Sequence, residues 1–334
     1  MTGPRPRRHA APGEPVRASA PSRVDLHTHT ARSDGLLEPT VLVAEAVAAG
    51  VRLLAITDHD TLAAYRELVA SDAIPAGLEL ICGIEINALA RGIPNVDELH
   101  VLGFGLDPTD AAFEAALADQ RAARRIRFER TVTRLRELGL SIDAHVADLD
   151  LALDDALGRP TIARALVAAG YAESVEDAFQ RLIGHGCPAY VPRDGLDPVE
   201  AIEAIRAAGG LPSLAHFREA PAQVPLLREL QAVGLGGLEV HHSSFTPEAS
   251  AAIGAVAVEL GLVPTGGTDF HGDTQPYAQA HAALHVPDEI GEGLLAELAR
   301  SGGTPAFSLR PGARPAPRDR VGGGPAATGP GSAG

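Results

Sequence analysis

The chain has 334 residues, of which 45% are hydrophobic, and its formal net charge is −15. This length allows a sizeable buried core, either in one barrel-sized domain or in two smaller ones. No apolar run approaches the roughly eighteen residues of a membrane span, and an acidic chain lacks the excess of Lys and Arg that coats nucleic acid. We therefore expect a cytoplasmic protein that neither enters a membrane nor binds long duplexes stably.

The two cysteines and the two chain ends carry little information about function. Cys82 and Cys187 lie in unrelated contexts without C-x-x-C spacing, which predicts neither a disulfide framework nor a thiolate metal site. Residues 1–22 and 310–334 are rich in Pro, Gly, Ala and Arg and lack apolar periodicity. Such segments cannot offset the entropy lost on ordering, so we predict disordered tails at both ends.

Between the tails, apolar strand-like runs alternate with helical stretches. The first helix is expected at Pro39–Ala49, with Pro at its start and Gly50 just beyond its end. Further helices are expected at about 62–70, 198–208 and 224–233, and after Thr246. Near-continuous apolar runs between helices are typical of parallel strands covered on both faces, which predicts a βα barrel or an open doubly wound sheet. The runs are "SRVDLHTHT", "VRLLAITDHD", "LELICGIEINALA", "ELHVLGFGLD", "LPSLAHF", "GLEVHH" and "LVPTGGTDFHG".

Histidine and carboxylate residues recur within these runs or at their C-terminal ends, the face where barrel loops assemble active sites. A single such histidine is ordinarily a satisfied core or rim residue, but repetition on strand after strand favours a common site. His27 and His29 occupy alternate positions, so in a strand they share a face and can converge on one ion. Combined with carboxylates and without cysteine ligands, imidazoles suit Zn, Mn or Fe. The residues concerned are His27, His29, Asp58, His59, Glu85, His100, His216, Glu239, His241, Asp269 and His271.

The motifs "DLHTHTARSDG", "AITDHD", "GIEI", "LHVLGFGLD", "LAHF" and "GGTDFHG" occur in this order between Val24 and Phe307. Together they resemble the polymerase and histidinol phosphatase (PHP) domain of metal-dependent phosphoesterases. The resemblance implies a distorted seven-stranded (β/α)7 barrel with three divalent metals at its C-terminal face. Manganese is the expected ion, with iron or zinc as alternatives. The implied ligands are His27, His29, Glu85 and Asp269 for one metal, Glu85, His100 and His216 for a second, and Asp34, His59 and His271 for a third.

Three divalent ions would outweigh the three carboxylates among these ligands, so the pocket would be cationic and would attract a phosphate. Metals close together lower the pKa of a bridging water, so we assign the nucleophile to metal-bound hydroxide. Asp25 and Asp58 are candidates for orienting imidazoles through their second nitrogen, with solvent-facing or turn-capping roles as the alternative. His241 is a candidate proton donor or a rim-packing residue, and Glu239 has no assigned role.

The alternation is interrupted over residues 108–194, which we predict to be a helical insertion that caps the substrate, between barrel segments 23–107 and 195–309. "QRAARRIRFERTVTRLRELG" reads as an amphipathic helix that packs through Ile126, Val132, Leu135 and Leu138, its arginines forming an ordinary solvated face or contacting substrate. The later segment "LGRPTIARALVAAGYAESVEDAFQRLIGHGCPAYVPR" predicts two short helices and a loop. It resembles the insertion of a PHP subfamily that acts on 3′,5′-bisphosphonucleotides and short 5′-phosphorylated oligonucleotides.

Within the insertion, we choose Arg159 and Arg193 for a phosphate that is not cleaved, because a guanidinium clamps phosphate oxygens with two parallel hydrogen bonds. Thr161 and Cys187 depart from the subfamily pattern, which usually has a histidine and a basic residue there. The expected function is phosphoester hydrolysis on a nucleotide or short oligonucleotide. A small-metabolite phosphatase, such as a histidinol phosphatase, and a non-catalytic metal-binding module are the alternatives.

Overall fold

The computed structural model describes residues 22–90, 98–147 and 158–307. The predicted tails lie outside these ranges, with the exception of Ser22. The Ser22 side chain is buried, and its hydroxyl donates a hydrogen bond to the carbonyl of Val286 at 2.8 Å. Ser22 therefore belongs to the folded part of the chain.

Seven strands form one sheet in sequential order. The sheet closes on itself because the chain after the first strand bonds to the last: the N–H of Leu26 donates to the carbonyl of Gly266 at 3.1 Å, and that of His29 to Phe270 at 2.9 Å. The expected distorted barrel is confirmed, and the open doubly wound sheet is excluded. The strands are β1 Val24–Asp25, β2 Leu53–Ile56, β3 Glu79–Leu89, β4 Glu98–Phe104, β5 Leu211–Leu214, β6 Gly237–His242 and β7 Val263–Gly267.

The helices begin and end where local sequence signals place them. Pro39 opens the first helix and Gly50 ends it with φ 103°, while the Asp197 side chain accepts from the Glu200 N–H in a complete capping box. In the described ranges, none of the helices has both the length and the apolar character to cross a membrane. They are α1 Pro39–Ala49, α2 Ala63–Ser71, α3 Ala111–Glu137, α4 Asp143–Val146, α5 Arg159–Ala168, α6 Val175–Ala178, α7 Pro198–Ala207, α8 Val224–Ala232, α9 Pro247–Leu260, α10 Tyr277–Ala283 and α11 Asp288–Ser301.

One strand departs from the parallel arrangement expected from the sequence. β4 runs antiparallel to both β3 and β5. Its start at Glu98 follows the end of β3 at Leu89 after about eight residues, whereas a parallel crossover needs a dozen or more. Because β4 starts at the rim where β3 ends, His100 near its beginning lies at the same rim as the ends of the parallel strands.

The barrel interior has two levels, an apolar floor and a polar rim. Ile81, Leu102 and Phe104 belong to a buried cluster that α11 completes with Leu294 and Leu298. Further along the same strands, on the same faces, Glu85 and His100 point to the rim. The polar residues of the rim are therefore held above a packed apolar floor.

Helix α3 links the barrel to the insertion, since its residues contribute to two separate apolar cores. Phe113 and Leu117 pack in the barrel core, whereas Phe128, Val132 and Leu135 pack with α5 in a core within the insertion. The predictions for Ile126 and Leu138 are wrong, because their residues are 46% and 38% exposed. The buried stripe of the helix runs through residues 128, 131, 132 and 135, and Ile126 falls outside it.

Gly267 lies where the ends of β1 and β7 approach most closely. A Cβ atom there would stand 2.2 Å from the backbone nitrogen of His27 and 2.5 Å from its Cβ. We expect Gly267→Ala to lower the free energy of unfolding by about 1–3 kcal/mol or more, because backbone atoms cannot yield as a flexible side chain does. The thermal midpoint, measured by circular dichroism, tests this.

Gly293→Ala is the matched control for that variant. Gly293 lies in α11 and has no atom near its missing Cβ, so alanine there should leave the midpoint unchanged or raise it slightly. Equal midpoints for the two variants would contradict the proposed close approach at Gly267.

Candidate metal centre

The centre of the rim is the carboxylate of Glu85, which is 1% exposed. Oε1 lies 2.8 Å from Nδ1 of His100 and 3.3 Å from Nε2 of His216. Oε2 lies 3.1 Å from His59 Nδ1, 3.2 Å from His29 Nε2 and 3.4 Å from His27 Nε2. One carboxylate from the middle of β3 thus contacts imidazoles contributed by several different strands and loops.

Two further carboxylates complete the cluster. Asp269, directly after β7, places Oδ1 3.2 Å from Nε2 of His27 and 3.1 Å from Nε2 of His29. Asp34, in the loop after β1, places Oδ1 3.2 Å from Nε2 of His271 and Oδ2 3.6 Å from Nε2 of His59. All three carboxylates therefore lie within contact distance of imidazole nitrogens at one rim.

The ligand atoms fall into groups whose members lie within 4.8 Å of one another. One group is identical to an implied set, two overlap with the other implied sets, and the group with Glu239 and His242 has no counterpart among them. All nine expected ligands belong to one continuous cluster. Whether each binds a metal stays a prediction. The groups are His27, His29 and Asp269; Glu85, His100 and His216; His29, Asp34, His59 and His271; and His27, Glu239 and His242.

The cluster fits a set of divalent cations. Five of its buried polar atoms make no hydrogen bond within the described part of the chain: Nε2 of His27, both ring nitrogens of His29, Nδ1 of His59 and Oδ1 of Asp34. Unpaired buried polar atoms are costly, and imidazole and carboxylate donors suit Mn, Fe or Zn. Asp269 and His216 also adopt positive φ angles of 52° and 30°, which are uncommon outside glycine and cluster at functional sites.

The imidazoles of the metal-free cluster differ in their pKa values. Burial lowers the pKa of His29, but Asp269 and Glu85 outweigh burial and raise it to about 10. Burial, together with the nearby charges of His29 and Arg124, lowers the pKa of His59 to about 3. Burial alone would raise the pKa of Glu85, but His59 and other imidazoles hold it well below its usual range. The carboxylates are thus ionised, and protons occupy some of the imidazole nitrogens that a metal would take.

Glu239, to which the sequence assigned no role, orients His27. Its Oε1 lies 3.0 Å from Nδ1 of His27, and its Oε2 accepts a hydrogen bond of 2.6 Å from the backbone N–H of His216. This leaves Nε2 of His27 directed at Glu85 and Asp269. The carboxylate therefore fixes the ring orientation of one expected ligand and the backbone of another.

Asp25 and Asp58 were candidates for orienting ligand imidazoles, but their carboxylates accept hydrogen bonds from other groups. Asp25 accepts hydrogen bonds from the Thr268 backbone at 2.9 Å and from the Tyr277 hydroxyl at 2.8 Å, joining β1 to the segment after β7. Asp58 accepts from the Thr30 backbone at 2.7 Å and from the Ser33 hydroxyl at 2.6 Å. Both carboxylates act on the backbone that carries the ligands, so the expectation of direct imidazole contacts is wrong.

The histidine that β6 brings to the cluster is His242 and not His241. Its Nε2 lies 3.3 Å from Oδ2 of Asp269, and its ring lies 6.0 Å from that of His27. A register shift between Glu239 and His241 breaks the strand alternation. The sequence could not show this bulge. Of the two roles considered for His241, rim packing agrees with its position outside the cluster.

A cavity opens beside Asp34, His59 and His100 and is lined by four arginines: Arg124 and Arg127 from α3, Arg159 from α5, and Arg193. Two buried carboxylates balance part of this charge. Arg124 donates from Nε to Asp60 at 2.5 Å, and Glu98 accepts from Arg127 at 2.9 Å and from Arg159 at 2.8 Å. Asp34 at the edge of the cavity is a third carboxylate, and the four guanidinium groups still outnumber the three, which leaves the cavity cationic. The arginines of α3 are therefore more than a solvated helix face.

The arginines differ in how completely they are paired. Nη2 of Arg124 and both Nε and Nη1 of Arg193 are buried and make no hydrogen bond to any described residue. Burial and the neighbouring Arg124 lower the pKa of Arg193 to about 10, so it remains a cation at neutral pH. Arg193, chosen from the sequence, and Arg124, which the sequence only counted among the helix arginines, offer donors to an anion.

A barrel with nine histidine and carboxylate groups gathered at one rim defines the class of protein: a metal-dependent hydrolase. The sequence matches the PHP domain family over residues 25–185. It is 35% identical to a 5′-3′ exoribonuclease from Haemophilus influenzae over 75% of this chain and 90% of that protein. It is 30% identical to a 3′,5′-nucleoside bisphosphate phosphatase from Chromobacterium violaceum, over 75% of this chain and 87% of that protein.

The structural comparison agrees with the sequence comparison. A protein from Bifidobacterium adolescentis, assigned as a metal-dependent phosphoesterase, has 32% identity and a TM-score of 0.67, covering 81% of this chain and 95% of that chain. The chain therefore belongs to the PHP domain family.

Metal binding to the cluster should release protons. At pH 7 the raised pKa of His29, about 10, keeps its ring protonated in the metal-free protein, and a cation must displace that proton. We expect apparent Mn²⁺ affinity to rise with pH between 6 and 8. Calorimetric titration in two buffers of different ionisation enthalpy would measure the protons released per ion.

His145→Gln is the control, because His145 is exposed on α4, away from the cluster. This variant should release as many protons as the wild type. Binding without proton release in the wild type would contradict the charge state described here.

Proposed function

We propose that this phosphoester hydrolase cleaves the phosphoester at the 3′ oxygen of a 5′-phosphorylated nucleoside. One observation carries the proposal: the cationic cavity, with unfilled donors on Arg124 and Arg193, opens directly onto the candidate metal centre. A substrate with two phosphates can place one at the cluster and the other at the arginines. The insertion 108–194, which supplies these arginines, then acts as the substrate cap.

This substrate unites the two activities named in the relatives. A 3′,5′-bisphosphonucleoside and the first nucleotide of a 5′-phosphorylated RNA both carry a 5′ phosphate and a phosphorus on the 3′ oxygen. Attack at the 3′-linked phosphorus releases inorganic phosphate from the first and a nucleoside monophosphate from the second. A single site that binds the 5′ phosphate therefore serves both reactions.

The bound metals, for which we propose three ions and Mn²⁺ as the natural choice, would activate a water for attack and stabilise charge on the phosphoryl oxygens. The nine expected ligands would hold them, with Glu85 shared. Glu239 keeps His27 in position, and Arg124 and Arg193 fix the 5′ phosphate. His242, which contacts Asp269 at 3.3 Å, would help to position that carboxylate.

The arginine cavity disfavours the alternatives. A small amino-alcohol phosphate, such as histidinol phosphate, carries one phosphate and a cation, so a second cationic subsite would repel it. A non-catalytic metal module would have no use for guanidinium groups that keep buried donor atoms without hydrogen bonds, as Arg124 and Arg193 do. The cytoplasmic location expected from the sequence stays a prediction.

The decisive test compares three substrates on metal-loaded protein: adenosine 3′,5′-bisphosphate, histidinol phosphate and a short 5′-phosphorylated RNA. We expect release of phosphate from the first and of nucleoside monophosphate from the third. Preference for histidinol phosphate would overturn the proposed substrate class, and failure on all three with bound metal would support the non-catalytic module.

Asp269→Asn should abolish turnover by removing one carboxylate of the cluster while preserving its shape. We expect activity to fall by at least about a thousandfold and bound metal to decrease, because ligand charge sets both affinity and catalysis. Asp143→Asn, in an exposed pair with Arg136, is the control and should match the wild type. Near-normal turnover of Asp269→Asn would refute the ligand assignment.

Arg193→Lys should weaken binding of the 5′ phosphate in particular, because lysine keeps the charge but loses the planar pair of donors. We expect kcat/KM to fall about tenfold or more on adenosine 3′,5′-bisphosphate, and much less on adenosine 3′-monophosphate. Arg228→Lys, on the exposed face of α8, is the matched control. An equal loss on both substrates would show that Arg193 serves the fold and not the 5′ phosphate.

A further inference from the structure

One wall of the cavity is apolar and is supplied entirely by the insertion. Phe128, Pro160, Ile162 and Phe179 line it, next to the four arginines and the residues of the metal centre. A nucleotide that places two phosphates on the metals and on the arginines still has to place its base. The base is flat and largely uncharged, so the apolar wall is the part of the cavity that matches its chemistry.

Phe179 is the most suitable surface on this wall because it is only partly buried, whereas Phe128 is 3% exposed. The guanidinium carbon of Arg159 lies over its ring, 5.5 Å from the centroid, which is within cation–π distance. The Glu98 carboxylate holds that guanidinium through Nη2 at 2.8 Å. Arg159 thus already has a counter-ion and is held against the Phe179 ring.

The turn that carries Phe179 is anchored in the insertion. Residues Phe179–Ile183 form one π-helical turn after α6, and such turns are frequent at functional sites. Ile183 is buried in the insertion core, and Sγ of Cys187 lies 3.2 Å from the Gln180 carbonyl oxygen and 3.6 Å from that of Phe179. Cys187 therefore supports the turn, which gives a structural role to a residue that departs from the subfamily pattern.

We propose that Phe179, with the flat face of Arg159, is a stacking wall for the nucleobase of the substrate. This inference rests on the proposed function and reassigns Arg159 from the phosphate to the base. Every base has a π-face, so the wall selects nucleotides over base-free sugar bisphosphates while accepting any base. It thereby sets specificity for the class of substrate and not for the sequence of an RNA.

The test uses two substrates that differ only in the base: adenosine 3′,5′-bisphosphate and its abasic analogue, 1,4-anhydroribitol 3,5-bisphosphate. We expect the wild type to prefer the nucleotide by about tenfold or more in kcat/KM, mainly through KM. Phe179→Leu keeps apolar volume but removes the ring, so this preference should fall towards one. Phe179→Tyr keeps an aromatic ring and should therefore keep the preference. A wild-type preference near one, or a preference unchanged in Phe179→Leu, would overturn the inference.

Leu182→Ala is the matched control, because Leu182 lies in the same turn and packs against the insertion core without lining the cavity. It should keep the wild-type preference even where stability falls. A preference lost equally in Leu182→Ala would show that the turn and not the ring is responsible.

A binding measurement separates this inference from the proposed function. Calorimetry compares adenosine 5′-monophosphate with ribose 5-phosphate on wild type and on Phe179→Leu. If the metal-loaded wild type hydrolyses neither bisphosphate, the proposed function fails, yet a selective loss of adenosine 5′-monophosphate affinity in Phe179→Leu would still support stacking. Equal loss of both ligands, or no loss, would reject it.

Discussion

The buried carboxylate of Glu85 is the constraint around which the rim is arranged. An ionised carboxylate out of contact with water is very unfavourable unless opposite charge surrounds it. Five imidazoles lie within 3.4 Å of it, those of His27, His29, His59, His100 and His216. Three of them, His27, His29 and His216, have raised pKa values and supply that positive charge. Each must reach the same point, so the chain segments that carry them are fixed relative to one another. A metal-free cluster of this kind is stabilised by protons and a loaded one by cations.

The sheet topology explains how one side chain reaches so many partners. β3 is the longest strand, with eleven residues, and it continues beyond the point where its parallel neighbour β2 ends. Its upper half pairs with β4, and the antiparallel register places Asn87 opposite His100. A regular barrel of parallel strands would bring only strand ends to this rim. The reversed strand lets His100 enter from near its beginning, so the distortion of the barrel is part of the site.

The arginine cavity is the second charged centre, and its charge balance is the reverse of that around Glu85. In the arginine cavity, cations are in excess and two carboxylates hold them apart: Asp60 beside Arg124, and Glu98 between Arg127 and Arg159. Arg124 and Arg127 come from one turn of α3, the helix that also packs in both the barrel core and the insertion core. The distance between the metal centre and these two arginines is therefore set by a single helix. This arrangement suits a substrate of defined length between its two phosphates.

Much of the fold and most of the cluster could be predicted from the sequence, because both depend on local patterns. The alternation of apolar runs with helical stretches, together with the positions of Pro and Gly, predicted the strands and helices. The family motifs predicted the nine expected ligands. The errors have a common cause in tertiary geometry. The bulge that selects His242 over His241, the antiparallel β4, and the contacts of Asp25 with Thr268 and Tyr277 all depend on neighbours distant in sequence.

Under the proposed function, the position of the positive charge favours short substrates. The chain carries a net charge of −15, yet four arginines line one cavity together with Asp34, His59 and His100 of the candidate metal centre. Surface charge is screened beyond about 8 Å at physiological ionic strength, so a small ligand that enters the cavity meets mainly the metals and arginines. A long polyanion would extend beyond the cavity, and a chain with a net charge of −15 has no general excess of Lys and Arg to release its counter-ions. The proposed preference for short substrates therefore has two sources: the position of the positive charge inside the cavity and the contacts that the cavity makes with the substrate.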